Sequence, residues 1–417
     1  MPTSEISLEL PTAQVSRERS LKIAGALRAS LLVMLFAMTW ALPLSSILAI
    51  NLFRVSVILW LLQCWSRRRE LSHSRFFLPL LCFFAITALA SLAAQDRTAS
   101  WQQMKVVELG FAAVMVADAI RTLRQLRFLV AGLLVASLAA ALIGIWQLHS
   151  GQMLRAQGLY KHYINFGEML LLVSLLSFGI LIASFRSATG KWKFLAAVTF
   201  LILTAALAAT ATRTFLAALL FGCAVIIWMC FRWKARAIAA AALLVAIVLG
   251  GVWLQARRGM SWFNSADPGT QYRFLIWKDG ARIIRAHPLL GVGFANVQRH
   301  PERFDMSAYR NFPGMISHFH STYIEIAADC GLPALAVWCW LMYACFAAAR
   351  RAFHMQVEHT WEKGIALGVL GAIACFQLAS LSHYILGDPE PMLIFWILMA
   401  LAIILEQQNQ SLVPDSQ

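Results

Sequence analysis

The stretch Phe319–Leu332, FHSTYIEIAADCGL, stands directly before an apolar run long enough to cross a bilayer, and His318 lies just ahead of it. A neutral imidazole can take a proton from a hydroxyl nucleophile at neutral pH. On a helix starting at His320, residues Tyr323, Ile324, Ala327 and Ala328 recur at the spacing of one face. Gly331 and Pro333 then break and restart the chain. His320 is thereby placed near a membrane surface as a candidate general base. His318, two residues away, competes for that role, and a purely structural histidine is the plain alternative. His318, His320 and Glu325 match no zinc signature such as HExxH. No carboxylate cluster offers a Mg²⁺ site, so the chemistry is read as metal-independent.

Two arginines suggest a developing negative charge. Arg213 lies in ATATRTFLAALL between two apolar runs, flanked by Ala209, Thr210, Ala211, Thr212 and Thr214. Small residues let helices approach closely, and an ionisable group there is either functional or an interface anchor. Arg273 opens RFLIWKDGARIIR, which reads as an amphipathic helix at about 100° per residue. Lys278, Arg282 and Arg285 share one face; Phe274, Trp277, Ala281 and Ile284 share another. Arg273 falls near the centre of the apolar face, where a guanidinium needs an anion or carbonyls. The alternative is that it precedes the helix or snorkels to the interface. Arg155, Tyr160, Lys161 and Asn165, in RAQGLYKHYINFG, and Asp388, in HYILGDPEP, are further polar candidates on the same side, of which Asp388 suits an arginine or a sugar hydroxyl. The lone GxG of Gly291 and Gly293 reads as a turn. No P-loop occurs, so neither ATP nor any other cofactor is implied.

These residues must be positioned by a membrane protein. The 417 residues are 60% hydrophobic and 13% charged, with a mean hydropathy of +0.68. The net charge of +15 would point to nucleic acid in a soluble chain. Here it follows the positive-inside rule instead, and no nucleic-acid partner is inferred. Basic clusters separate apolar runs in pairs: Arg17, Arg19 and Lys22; Arg67, Arg68, Arg69 and Arg75; Arg121, Arg124 and Arg127; Arg186, Lys191 and Lys193; Arg232, Lys234 and Arg236; Arg350, Arg351 and Lys363. The expected fold is all-α and polytopic, with spans near 24–43, 45–64, 76–94, 104–120, 128–148, 164–185, 194–211, 214–231, 237–254, 329–349, 364–384 and 390–406. The chain is expected to form a single integral membrane domain over 1–417, with a helical outer loop at 255–320. Residues 1–22 are polar without an apolar core, so the N-terminus is expected to stay in the cytoplasm. The eight cysteines lie almost entirely in apolar runs, without CxxC spacing, and read as small buried hydrophobes.

The 255–320 loop carries nine basic against four acidic residues, yet by parity it lies outside. Long loops translocate regardless of charge. An outward basic loop suits a phosphate or pyrophosphate ligand, or equally anionic lipid head groups.

In this order the elements resemble the O-antigen ligase family, related to O-antigen polymerases. The sharpest motif is His320, Ser321, nine residues and Gly331; Ala336 stands where the family pattern often has a second glycine. ATRTF resembles the family's small-residue–arginine element, HPLLGVGFAN its proline–glycine loop, and RAQGLYKHYINFG the segment before its sixth span. The resemblance implies an inner-membrane glycosyltransferase acting on the periplasmic side. Its donor would be O-antigen linked to undecaprenyl pyrophosphate, its acceptor a sugar hydroxyl of lipid A-core, and its product lipopolysaccharide. Arg213 and Arg273 would stabilise the leaving group, and His320 would act on the acceptor hydroxyl with inversion. Arg155, Tyr160, Lys161, Asn165, His318 and Asp388 would contact substrate. An O-antigen polymerase or a protein O-oligosaccharyltransferase of the same superfamily remains open. So does a lipid-linked glycan transporter, which Arg28 and Arg54 inside the first two spans would suit.

Overall fold

The apolar runs fold as helices because a backbone in hydrocarbon must satisfy its own hydrogen bonds. The computed structural model describes residues 11–67, 76–184, 190–231, 233–234, 245, 268–312 and 318–410. The first helices are α1 (Pro11–Ala41), α2 (Ser46–Arg67) and α3 (Phe77–Ala93). Three short helices follow: α4 (Arg97–Gln103), α5 (Lys105–Glu108) and α6 (Phe111–Ala119). Then come α7 (Leu123–His149), α8 (Tyr163–Ser184), α9 (Gly190–Ala209) and α10 (Arg213–Cys230). The segment after α10 contributes α11 (Pro268–Ala286), α12 (Asn296–Arg299) and α13 (Ser307–Asn311). The chain then closes with α14 (Thr322–Met355), α15 (Trp361–Ser380) and α16 (Pro389–Gln410). No strand occurs among the described residues. Eight of the helices are long and apolar enough to span a membrane, and two shorter apolar helices cover Phe77–Ala93 and Lys193–Ala209. The fold is that of an all-α polytopic membrane protein.

One expected span differs, and another lies outside the described residues. The fourth, expected as one helix over 104–120, is the chain α4–α5–α6. Its junctions tighten into i→i−3 bonds, Met104 N to Trp101 O at 3.1 Å and Gly110 N to Val107 O at 3.0 Å. Gly110 sits there because a Cβ would come within 2.6 Å of Leu80. The ninth, expected over 237–254, lies outside the described residues apart from position 245, as do Arg257 and Arg258.

α8, α15 and α16 form the buried centre, while α1 and α2 face outward along most of their length. α8 and α15 meet backbone to backbone: a Cβ on Gly179 would lie 2.3 Å from the Gly368 nitrogen. Ion pairs gather at one end of the bundle, Arg127 with Glu362 at 2.8 Å, Lys363 with Glu358 at 2.8 Å and Arg351 with Glu406 at 2.5 Å. This is the basic end. The opposite end collects the connections 150–162, 210–212 and 381–388 and the segments 268–312 and 318–321, tied by Ala156 N to Ala209 O at 3.0 Å and Tyr160 Oη to Leu42 O at 3.0 Å.

α14 is bent where the sequence places Gly331, which has φ +86°. The break frees carbonyls that the preceding loop uses. Val292 N donates to Ala328 O at 3.0 Å, and Gly293 N to Asp329 O at 2.7 Å. Gly291 has φ +63°, and a Cβ there would lie 2.4–2.5 Å from the Ala328–Asp329 backbone. Gly291→Ala is therefore expected to cost about 2–5 kcal/mol, combining left-handed strain with overpacking against backbone that cannot yield. Thermal melting of the solubilised protein checks this; a melting temperature equal to wild type would contradict it.

The outer helix α11 packs through a different stripe from the one its hydropathy suggests. Tyr272, Ile276, Asp279, Gly280 and Ile283 are buried, whereas Phe274 is 64% exposed and Ala281 is exposed. The cause is Gly280, whose bare backbone admits Phe319 and Ile324; a Cβ would meet Ile324 at 2.6 Å. Asp279, buried on this stripe, accepts from Ser307 Oγ at 2.7 Å, Ala308 N at 2.9 Å and Arg282 Nη2 at 3.0 Å.

Candidate functional site

α14 starts at Thr322 because Ser321 caps it, its hydroxyl accepting from Ile324 N at 3.5 Å. The residue ahead of the cap, His320, has φ +51°. Left-handed backbone is unfavourable for a side chain of this size and persists only when the surroundings impose it. They do so on several sides. Phe319 N–H donates to Glu325 Oε2 at 2.6 Å, and Trp277 Nε1 donates to Phe319 O at 2.9 Å. His320 N–H donates to His318 Nδ1 at 3.1 Å. The two imidazoles stand edge to face at 4.5 Å, and Tyr272 lies 5.9 Å from the His320 ring. Because Nδ1 of His318 accepts, its proton is on Nε2.

The connection between α15 and α16 closes this turn from the other side. Thr322 gives both its N–H, at 3.1 Å, and its hydroxyl, at 3.0 Å, to the carbonyl of His383. Ile385 N returns a bond to Thr322 Oγ1 at 3.2 Å. The same connection reaches the start of α10: Ser382 Oγ donates to Thr214 Oγ1 at 3.3 Å, and the Phe215 ring lies 4.7 Å from that of His383. Arg213, the first residue of α10 and half-buried, thus has both following residues in contact with the 381–388 connection, Thr214 through Ser382 and Phe215 through His383. The tight α9–α10 turn that delivers it uses φ +52° at Ala211.

Arg273 is half-buried on α11 and acts electrostatically on His318, His320 and His383 alike. Burial is the first cause that lowers all three imidazoles: His318 to about 4, His320 to about 3 and His383 to about 3. Arg273 adds to that lowering in each. All three are neutral at pH 7. The sequence reading did not single out His383. Its Nδ1 lies 2.8 Å from Ser382 O, which can only accept, so Nε2 is a buried lone pair without a hydrogen-bond partner. Its only signal was proximity to Asp388 in HYILGDPEP.

The other expected site residues fall into two groups. Asn165 and Asp388 are brought together, Nδ2 to Oδ1 at 3.0 Å, with buried Glu168 beside them. Burial raises Asp388 to about 7. The other group is tied to the scaffold. Tyr160 is buried, its hydroxyl donates to Leu42 O, and burial pushes its phenol well above the usual range. Arg155 lies 4.3 Å from the Tyr163 ring centroid, and Lys161 is exposed, its carbonyl taking Gln157 Nε2 at 3.1 Å. Arg54, one of the two arginines that suited a transport path, is exposed and reaches Asn51 on its own helix at 3.4 Å. Among the described residues no three His, Cys, Asp or Glu side chains converge at metal-binding spacing. Two cavities lie away from His318, His320 and His383. One of about 260 Å³ is lined by Leu134, Ile180 and Leu195, and one of about 190 Å³ by Lys363, Glu358 and Cys230 at the basic end.

Fold and site together define a polytopic membrane protein with histidines and arginines gathered at one end of its bundle. Residues 197–339 match the family model described as O-antigen ligase, so the resemblance to the O-antigen ligase superfamily holds over this segment. The match takes in Arg213, Arg273, His318 and His320; Arg155, Tyr160, Lys161, Asn165 and Asp388 lie outside it. No curated protein matches the chain.

Proposed function

We propose that this chain is a glycosyltransferase of the bacterial inner membrane that works on the periplasmic side. It moves O-antigen polysaccharide from undecaprenyl pyrophosphate to a sugar hydroxyl of lipid A-core, giving lipopolysaccharide. The observation that carries the reading is the convergence of Arg273 with His318, His320 and His383 beside the start of α10, all but His383 within the family-matched segment. The basic end fits the cytoplasm. α1 starts and α16 finishes there, which fits both termini lying on that side.

In the proposed reaction the acceptor oxygen attacks the anomeric carbon opposite the pyrophosphate. The carbon–oxygen bond to the pyrophosphate breaks, and its electron pair leaves with undecaprenyl pyrophosphate. Attack from the opposite face inverts the anomeric centre. Arg213 and Arg273 meet the growing negative charge, as preformed guanidinium donors do without reorganisation. The acceptor proton passes to His320. The tautomer of His318 favours that choice, because its Nδ1 is occupied by the His320 N–H and its Nε2 already carries a proton. Nε2–H of His318 is instead a donor for a substrate oxygen. Asn165 and Asp388 are placed to hold sugar hydroxyls, with Arg155, Tyr160 and Lys161 on the flanking loop. Both lipid substrates meet in the outer leaflet, where confinement to a plane assists alignment.

Reconstitution tests the reading. Purified protein in lipid bilayers, given undecaprenyl-pyrophosphate glycan and lipid A-core, is expected to transfer glycan with chelator present and no nucleotide. Extension of an undecaprenyl-linked acceptor in place of lipid A-core would make it a polymerase. Movement of glycan across the bilayer without transfer to either acceptor would refute the enzymatic reading.

A further inference from the structure

We propose that Glu325 and Trp277 form a clamp on the Phe319 peptide that sets the His320 imidazole for proton transfer. Glu325 is then a positioning residue, and the inference rests on the reading of His320 as the base. Phe319 lies between the two histidines, and both sides of its backbone are held from different elements. Its N–H goes to Glu325 Oε2 on α14 at 2.6 Å, and its carbonyl takes the Trp277 indole N–H of α11 at 2.9 Å. Its ring is 2% exposed, seated in a satellite core with Tyr272, Ile276 and Ile283. Gly280 is the bare position that lets this ring approach.

A glutamate in the first turn of a helix is ordinary, because the helix dipole favours it. Reaching back six residues to a single amide is not required by that preference. Glu325 is 2% exposed, and its other oxygen takes Gln298 Nε2 at 3.4 Å. Four residues on, buried Asp329 faces the amide of Ala295. The first two turns of α14 therefore register two loop segments at once, the glycine turn at 291–296 and the histidine turn at 318–320. Both oxygens of this buried side chain are engaged, and a hydrogen bond shielded from water is stronger than one at the surface. Such a bond is what a left-handed His320 calls for, since φ +51° must be imposed from outside. If the Phe319 peptide rotates, both imidazoles move with it, because the His320 N–H bond to His318 Nδ1 couples them. Glu325 is too deeply buried to touch substrate, so its effect runs through the geometry of His320.

The test uses full-length protein in bilayers, with Glu325→Ala, Glu325→Gln, Trp277→Phe and His320→Ala compared with wild type. A misplacement of about 1 Å at a reacting group costs about 100-fold, so Glu325→Ala is expected to lower kcat about 30- to 100-fold. The donor KM should stay within about threefold and the melting temperature within a few degrees, because the arginines are untouched. Glu325→Gln, which keeps an acceptor oxygen, is expected to recover most of the rate. Trp277→Phe should lower kcat in the same pattern, by about five- to tenfold, and it carries the test if the alanine variant fails to fold. A wild-type kcat in Glu325→Ala or Trp277→Phe would overturn the clamp. So would a joint fall of kcat, donor affinity and melting temperature that glutamine does not rescue. Full turnover in His320→Ala would instead remove the proposed base, whereas an inactive His320→Ala beside a fully active Glu325→Ala would remove the clamp alone.

Discussion

Replacing His320 with alanine is expected to lower transfer by about a thousandfold while the donor still binds, since general-base catalysis contributes about 10²–10⁴. Burial first, and then the neighbouring His318 and Arg273, hold this imidazole at about 3. A base that weak accepts a proton poorly at neutral pH. The donor changes this balance. Its pyrophosphate sets negative charge against Arg273, offsets the guanidinium's influence and favours the imidazolium. Proton affinity at His320 therefore rises when the donor is seated. The expected signature is a separation of pH profiles. Protonated His320 is inactive, so rate falls as pH drops through its pKa. For kcat/KM, which reports free enzyme, that limb lies near pH 3–4. For kcat, which reports the complex, it moves to higher pH. Coincident limbs would exclude donor-assisted activation. Acid also acts on stability. His318, His320 and His383 all have folded values below the unfolded value of about 6.5. Between that value and about pH 4 the unfolded chain binds more protons, so the stability these residues contribute above pH 6.5 is lost as pH falls. Recovery of activity on return to neutral pH separates reversible protonation from unfolding.

The spans were legible in the sequence wherever an apolar run was unbroken. α7, α8, α10 and α16 lie within a few residues of the runs that announce them. The fourth span was not legible as three pieces, because hydropathy does not register the contact that Gly110 makes with Leu80. The buried stripe of α11 was missed for a related reason. Phe274 and Trp277 outweigh Gly280 on any hydropathy scale, but the face without a side chain is the one that can be closed. Asp279 read as one charge among thirteen, and its role as the acceptor for Ser307 and Ala308 emerges only when the loop folds back. Within the candidate site, His320, Arg213 and Arg273 were legible because charge and imidazole are conspicuous beside apolar runs. His383 was not, since it is defined by its carbonyl's contact with Thr322, remote in sequence, and Glu325 was weighed only as a metal ligand, since its contact with the Phe319 N–H requires the turn to fold back. Asn165 and Asp388 each stood out singly, but their pairing is a property of the fold.

Arg273→Gln is expected to produce two effects that no simple loss of structure would join. The first is a fall in transfer of about 100-fold or more, the usual consequence of removing one well-placed donor to developing negative charge. The second is an upward displacement of the acid limb in kcat/KM. Arg273 contributes to the lowering of His318, His320 and His383, and glutamine removes its charge while keeping hydrogen-bonding capacity. The variant should therefore be slower at neutral pH and also lose activity at a higher pH than wild type. Arg273→Lys divides the effects: it keeps the charge, so the limb stays in place, but it lacks the planar fork that meets two phosphate oxygens, so much of the rate is still lost. Arg213→Lys should likewise lose rate. Its pH profile should stay unchanged, because lysine keeps the positive charge. If both arginines shifted the limb equally, or if neither lowered the rate, the division of labour would fail. A single guanidinium that both depresses the base in the empty site and receives the leaving group in the full one links donor binding to base strength. Such a site is poorly armed against stray hydroxyls until the glycan to be transferred has arrived.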